Sequence, residues 1–136
     1  MKSEVVEVLN RYEISLILTR LGGLVFEPDA DIDGVDFAVK SPEGKFFSCQ
    51  LKSRCTVEKK RYGGRDIWMV FPGAGDPMKR DWYFIEHDLL FKHLKKKHGK
   101  APKWNHETRG EYWVTNVTRE LELELRTRRI YKHVTE

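Results

Sequence analysis

The chain has 136 residues, 40% hydrophobic and 34% charged, which is enough for one core and too short for two, so a single domain over 1–136 is expected, with no linker or repeat. A formal net charge of +4 and a pI near 9.1 favour an anionic partner. Lys2, Glu4, Glu7, Arg11 and Glu13 interrupt the first 20 residues, so no apolar stretch of signal-peptide or membrane length is present, and a cytoplasmic location without a membrane partner is expected.

Val5, Val6, Leu9, Ile14, Ile17, Leu18 and Leu21 recur at helical spacing and predict a first helix that carries Glu13 and stops at Gly22-Gly23. Strands are predicted over 24–27, 35–40 and 45–53, the last two joined through the turn residues Ser41-Pro42-Glu43-Gly44. Arg61-Tyr62-Gly63-Gly64 is a turn, 66–71 a buried strand, 72–77 a loop and 82–85 a further strand. Asp88 is placed to cap a helix over 89–97, with Leu90, Phe91 and Leu94 as its apolar stripe. The stretch 104–114 reads as irregular with a short strand, and 118–131 as a closing helix, although the alternation of Leu121, Leu123 and Leu125 also fits a strand. The order is α/β/α-like.

The hairpin carries the chemistry. Residues two apart on a strand share a face, so Ser48, Gln50 and Lys52 point one way while Phe47, Cys49 and Leu51 point into a core. Closing the hairpin at 41–44 sets Asp36 across from Gln50 or within one register step, so a carboxylate, a carboxamide oxygen and an ammonium converge. Bland readings compete: Asp36 as a carboxylate flanking a turn, Gln50 and Lys52 as a solvent-facing stripe, and Glu13 as an ordinary surface residue of a helix.

In order and spacing, Glu13 on a first helix, Asp36 at the second strand, and Gln50-x-Lys52 on the third resemble the PD-(D/E)XK nuclease superfamily, over roughly residues 4 to 54. Gln50 stands where the family's usual acid precedes the lysine, as in the Mrr-like restriction branch. The resemblance implies a restriction endonuclease-like α/β fold, a mixed central β-sheet flanked by helices, and Mg²⁺- or Mn²⁺-dependent hydrolysis of DNA phosphodiester bonds. It implies a metal held by Asp36, Gln50 and the Leu51 backbone carbonyl, with Lys52 acting on charge at the phosphate and Glu13 supporting the site. Cutting both strands of a duplex with one site per chain implies a homodimer or higher homo-oligomer.

Basic residues form two runs. Arg54, Lys59, Lys60, Arg61 and Arg65 follow the hairpin, and Lys92, Lys95, Lys96, Lys97, His98, Lys100 and Lys103 come later. Such runs suit DNA through counterion release, or else are solvated helix faces. An inactive DNA-binding module of the same fold, with Gln50 as the lost acid, is one alternative to a nuclease, and an interaction protein with no nucleic-acid role is another.

Rival motifs are weaker. Asp29-x-Asp31-x-Asp33-Gly34 opens like an EF-hand loop, but Lys40 occupies the position that needs a bidentate glutamate. His87, His93, His98, His106 and His133 show no metal-ligand pairing, and Cys49 and Cys55 lack zinc or disulfide spacing, so both thiols are expected reduced. Among the tryptophans, Trp68, Trp82 and Trp113 suit core or interface anchoring, whereas Trp104 beside Lys103 is placed to touch a nucleic acid.

Overall fold

A computed structural model describes residues 2–28, 34–98, 110–114 and 119–126. Lys100, Lys103, Trp104, the aspartates at 29, 31 and 33, and positions 118 and 127–131 of the predicted closing helix lie outside the described residues. Helix α1 (Ser3–Arg20) buries Ile14, Ile17 and Leu18, whereas Val5, Leu9 and Leu21 from the same predicted apolar series are exposed. Gly22, at φ +90°, ends the helix. Its N–H bonds Thr19 O at 3.0 Å while Gly23 N–H bonds Leu18 O at 2.9 Å, a Schellman pair that a left-handed residue makes possible.

Strands β1 (Leu24–Phe26), β2 (Phe37–Lys40) and β3 (Phe46–Leu51) form an antiparallel meander. The predicted turn closes β2 onto β3: Gly44 N–H bonds Ser41 O at 2.9 Å, and Gly44 takes φ +93°. Strand β5 (Ile67–Pro72) then lies parallel to β3, with β6 (Trp82–Glu86) antiparallel beside it, giving the order β1-β2-β3-β5-β6. A parallel neighbour demands a crossover. The crossover holds a short strand β4 (Thr56–Glu58) and helix α2 (Lys59–Tyr62), neither evident from periodicity because three strand residues and four helical ones are too few to show a repeat. Helix α3 (His87–His98) follows, and β4 pairs antiparallel with β7 (Glu111–Trp113) in a second, two-stranded sheet.

The five-stranded mixed sheet is covered on both faces. On the α1 side Ile14, Ile17, Phe37, Cys49, Leu51, Val70 and Trp82 pack together. On the other side Tyr62, Ile67, Met69, Phe71, Leu90 and Leu94 meet Leu121 and Leu125 of helix α4 (Arg119–Leu125). Leu123 is exposed, so the 121/125 pair follows the four-residue helical repeat rather than strand alternation. No helix among the described residues is long and apolar enough to cross a membrane.

Asp88 does not cap α3 from outside. The helix begins one residue earlier, and Asp88 lies in its first turn, where Oδ2 accepts Gly64 N–H at 2.9 Å and Oδ1 meets His87 Nδ1 at 2.9 Å. His87 is 1% exposed, and its Nε2 accepts the Glu58 N–H at 3.0 Å, so the proton sits on Nδ1 and the ring is neutral. Burial pulls the His87 pKa below its ordinary value and outweighs the opposing hydrogen bond and charge of Asp88. The unfolded chain binds a proton that the folded chain refuses. Stability is therefore complete above the unfolded pKa of about 6.5 and declines as pH falls below it, at up to about 1.4 kcal/mol per pH unit. Urea unfolding between neutral and mildly acidic pH should show this slope, and His87→Gln should flatten it.

Candidate active site

The hairpin register decides which side chains meet. Phe37 pairs with Cys49 and Ala38 with Ser48, and the pairing ends there, so Asp36 follows as a bend whose side chain reaches Gln50. Asp36 N–H bonds Cys49 O at 2.8 Å, one residue off the register of β2, which holds the bend against β3. The Asp36 carboxylate then takes three donors: Arg11 Nη2 to Oδ1 at 2.5 Å, Leu51 N–H to Oδ2 at 3.2 Å and Gln50 Nε2 to Oδ2 at 3.4 Å. Because Leu51 N–H points at Asp36, its carbonyl lies on the same edge of β3, as the alternation of antiparallel pairing requires.

A cavity of about 560 Å³ opens at this end of the sheet, between the first half of α1 and the end of α2. Glu7, Asn10, Asp36, Gln50, Lys52 and Arg61 are among its lining residues. Gln50 is only 6% exposed, which removes the reading of it as a solvent-facing residue. Its Nε2 faces a carboxylate that cannot donate, which fixes the amide orientation and leaves Oε1 buried with no hydrogen-bond partner among the described residues. An unpaired buried carbonyl costs about 1–3 kcal/mol, and among the described residues Gln50 Oε1 shares this state with the Tyr62 hydroxyl. Lys52 lies just past the end of β3, its N–H bonded to Val70 O at 2.9 Å and its Nζ 5.3 Å from the centroid of the buried Tyr62 ring.

Glu13 does not line this cavity. It is 6% exposed, and its carboxylate receives Arg80 Nη2 at 2.7 Å, Arg80 Nε at 3.1 Å and Trp82 Nε1 at 2.7 Å, while Asn10 Oδ1 takes a further bond from Arg80 at 2.8 Å. Burial raises the Glu13 pKa, but the bonds from Arg80, Trp82 and the Met78 backbone, with the Arg80 charge, outweigh it and hold it below the ordinary value. Its work is to tie α1 to the β5–β6 connection. The acid that α1 presents to the cavity is Glu7, one turn before Asn10 and Arg11. The signal was the helical repeat: at 100° per residue Glu7 shares a side with Asn10 and Arg11, and Glu13 is turned away from it.

The two basic runs are not uniform. Lys97 Nζ pairs with Glu120 at 2.5 Å and Glu124 at 3.2 Å, and His93 bonds Glu124, so this side of α3 is occupied by α4. Arg54 stacks over Trp113 at 5.2 Å, while Lys60, Arg65 and Lys96 are exposed. Both cysteines are free and buried, and burial pushes both thiols up, Cys55 to about 12 and Cys49 further, so neither is a nucleophile. Among the described residues no group of three or more His, Cys, Asp or Glu gathers as a metal cluster.

Comparison with models of protein families, with curated proteins and with solved structures finds no match to this chain.

The different placements of the two α1 acids have separable consequences. Glu13→Ala leaves Arg80 buried without its counter-charge and should lower the unfolding free energy by about 3 kcal/mol. Glu7→Ala, at an exposed position, should stay within about 0.5 kcal/mol of the parent. Chemical denaturation of both variants checks the assignment.

Proposed function

We propose that this chain is a metal-dependent endodeoxyribonuclease of the PD-(D/E)XK type, with Asp36, Gln50 and Lys52 as its working residues. The observation that carries this reading is the buried Gln50 Oε1, without a hydrogen-bond partner among the described residues, beside the Asp36 carboxylate in a cavity that also holds Lys52. The helix, strand and hairpin order over α1 to β3 and the mixed sheet support it.

The donor set suits a hard divalent cation that keeps several waters: the Asp36 carboxylate, Gln50 Oε1 and the Leu51 carbonyl, with Glu7 at the cavity wall. A Mg²⁺ or Mn²⁺ ion held there supplies charge neutralisation at a phosphoryl oxygen and acidity to water. Lys52 places an ammonium where negative charge grows on the scissile phosphate, and Arg61 adds a second cation at the same wall. The Tyr62 ring holds both against the protein, so they need little reorganisation when that charge appears. Arg11 keeps the carboxylate aimed by gripping Oδ1 and leaves Oδ2 toward Gln50 and Leu51. A homodimer would bring two such sites to the two strands of a duplex.

The Arg11–Asp36 bond favours a second reading, a DNA-binding module whose site no longer cuts. A guanidinium 2.5 Å from the carboxylate already neutralises it, and Gln50 brings no charge of its own.

Plasmid cleavage with Mg²⁺ and with Mn²⁺ separates the two. Asp36→Ala and Lys52→Ala should each lower the cleavage rate by about 10² to 10³ while keeping the fold and most DNA affinity. Equal cleavage by Lys52→Ala and the parent discards the proposed site. A parent that binds DNA but never cuts favours the inactive module. Independently, Gln50→Glu should tighten Mg²⁺ binding in titration calorimetry, because it replaces a neutral oxygen with an anionic one.

A further inference from the structure

Helix α1 is apolar on two sides. Ile14, Ile17 and Leu18 face the sheet and are buried, whereas Val5, Val8, Leu9, Tyr12 and Leu16 are each at least 43% exposed, with Tyr12 at 72%. A helix that lies on one sheet needs only one apolar stripe, and a helix apolar all round belongs in an interior. The described chain buries only the first side. On the other, Val5, Leu9, Tyr12 and Leu16 fall within about 60° of arc, and Val8 flanks them.

A groove widens this stripe. Leu9, Tyr12 and Leu16 form one wall and Pro77 and Met78 the other, around a volume of about 460 Å³. The polar groups nearby already have partners: Arg80 is held by Glu13 and Asn10, and the Thr19 hydroxyl donates to Ser15 O at 2.7 Å. Covering the face therefore leaves these groups satisfied.

Two features select a second copy of this chain as the cover. Val5, Leu9, Tyr12 and Leu16 are spaced four, three and four residues apart, a series that is the same in both directions. Laying two such helices antiparallel about a two-fold axis between positions 10 and 11 brings Val5 against Leu16 and Leu9 against Tyr12, twice over, which is the self-complementarity a two-fold interface demands. Charge agrees with this direction. Glu4 lies in the first turn of α1 and Arg20 in the last, so the antiparallel pair sets each Glu4 within one helical turn of the second copy's Arg20, whereas a parallel pair brings like charges together. Glu7, at the cavity wall, lies on the opposite side of α1, so pairing leaves the cavity open.

We propose that the outer face of α1 is a homodimer interface, in which two copies of this chain pack antiparallel through Val5, Leu9, Tyr12 and Leu16. This goes beyond the nuclease reading, which calls for two sites but names no surface, and its test does not involve cleavage.

Sedimentation velocity of the whole chain between about 1 and 100 µM should show a monomer–dimer equilibrium with a micromolar Kd. Leu9→Glu and Leu16→Glu should each raise that Kd by at least about tenfold, because the two-fold axis buries the new carboxylate twice without a partner. Their thermal melts should stay near the parent, since both positions are exposed. Phe46→Glu, at an exposed apolar residue of β3, should leave the Kd unchanged. Glu4→Arg should weaken pairing about two- to ten-fold, and adding Arg20→Glu should restore it. A parent that stays monomeric at about 100 µM overturns the interface while cleavage assays still decide the nuclease reading. A dimer indifferent to Leu9→Glu and Leu16→Glu, or equally disrupted by Phe46→Glu, overturns it as well. Failure of the Glu4→Arg, Arg20→Glu pair to recover overturns the antiparallel arrangement.

Discussion

The pairing of Phe37 with Cys49 governs this molecule's chemistry, because side chains alternate along a strand and a slip of one residue exchanges its two faces. In the observed register Phe37, Val39, Cys49 and Leu51 enter the core under α1, and Asp36 and Gln50 meet at the cavity. A one-residue shift would bring Phe37 toward the cavity and drive Asp36 against Ile14 and Ile17. Three features resist it: the 41–44 turn, the buried apolar side chains at about 1.5–3 kcal/mol each, and the parallel grip of β5 on the far side of β3.

Covering the sheet on both faces makes each polar group buried in it or against it costly, and three of them are handled differently. Glu13 is saturated by Arg80 and Trp82 and becomes a structural tie. His87 is divided between one donor and one acceptor, which fixes its tautomer and holds the ring against Tyr62. Gln50 donates to Asp36 and leaves its oxygen open. Two of the three satisfy their polar atoms and stabilise the fold. The third keeps an open acceptor next to a carboxylate, and a fold that optimised only stability would fill that position with an apolar side chain.

The cations divide by the same logic of partners. Arg80 is sunk beside Glu13, Arg11 steadies Asp36, and Lys97 docks α4 onto α3. Lys52, Arg61, Lys59 and Lys95 lie within cation–π range of ring faces, and Lys59 also acts on the Asp88 carboxylate.

What was legible in the residues alone is whatever depends on neighbours along the chain. The Gly22-Gly23 stop, the Ser41–Gly44 turn, the alternation through β3 and hence the meeting of Asp36 with Gln50 are local consequences of backbone freedom and strand period, and the hairpin needs no distant partner to specify them. Tertiary packing decided the remainder. Glu13 and Glu7 sit on the same helix in similar company, and only the rotation of α1 against the sheet, set by Ile14, Ile17 and Leu18, turned Glu7 to the cavity and Glu13 to Arg80. Lys95 and Lys97 stand in one run of lysines; Lys95 meets Phe91 one turn back on its own helix, a local contact, whereas Lys97 meets the acids of α4 only because that helix docks on α3. The burial of Gln50 also came from the crossover that lays β5 along β3, since only a strand with neighbours on both sides and cover on both faces can hold a carboxamide oxygen away from water.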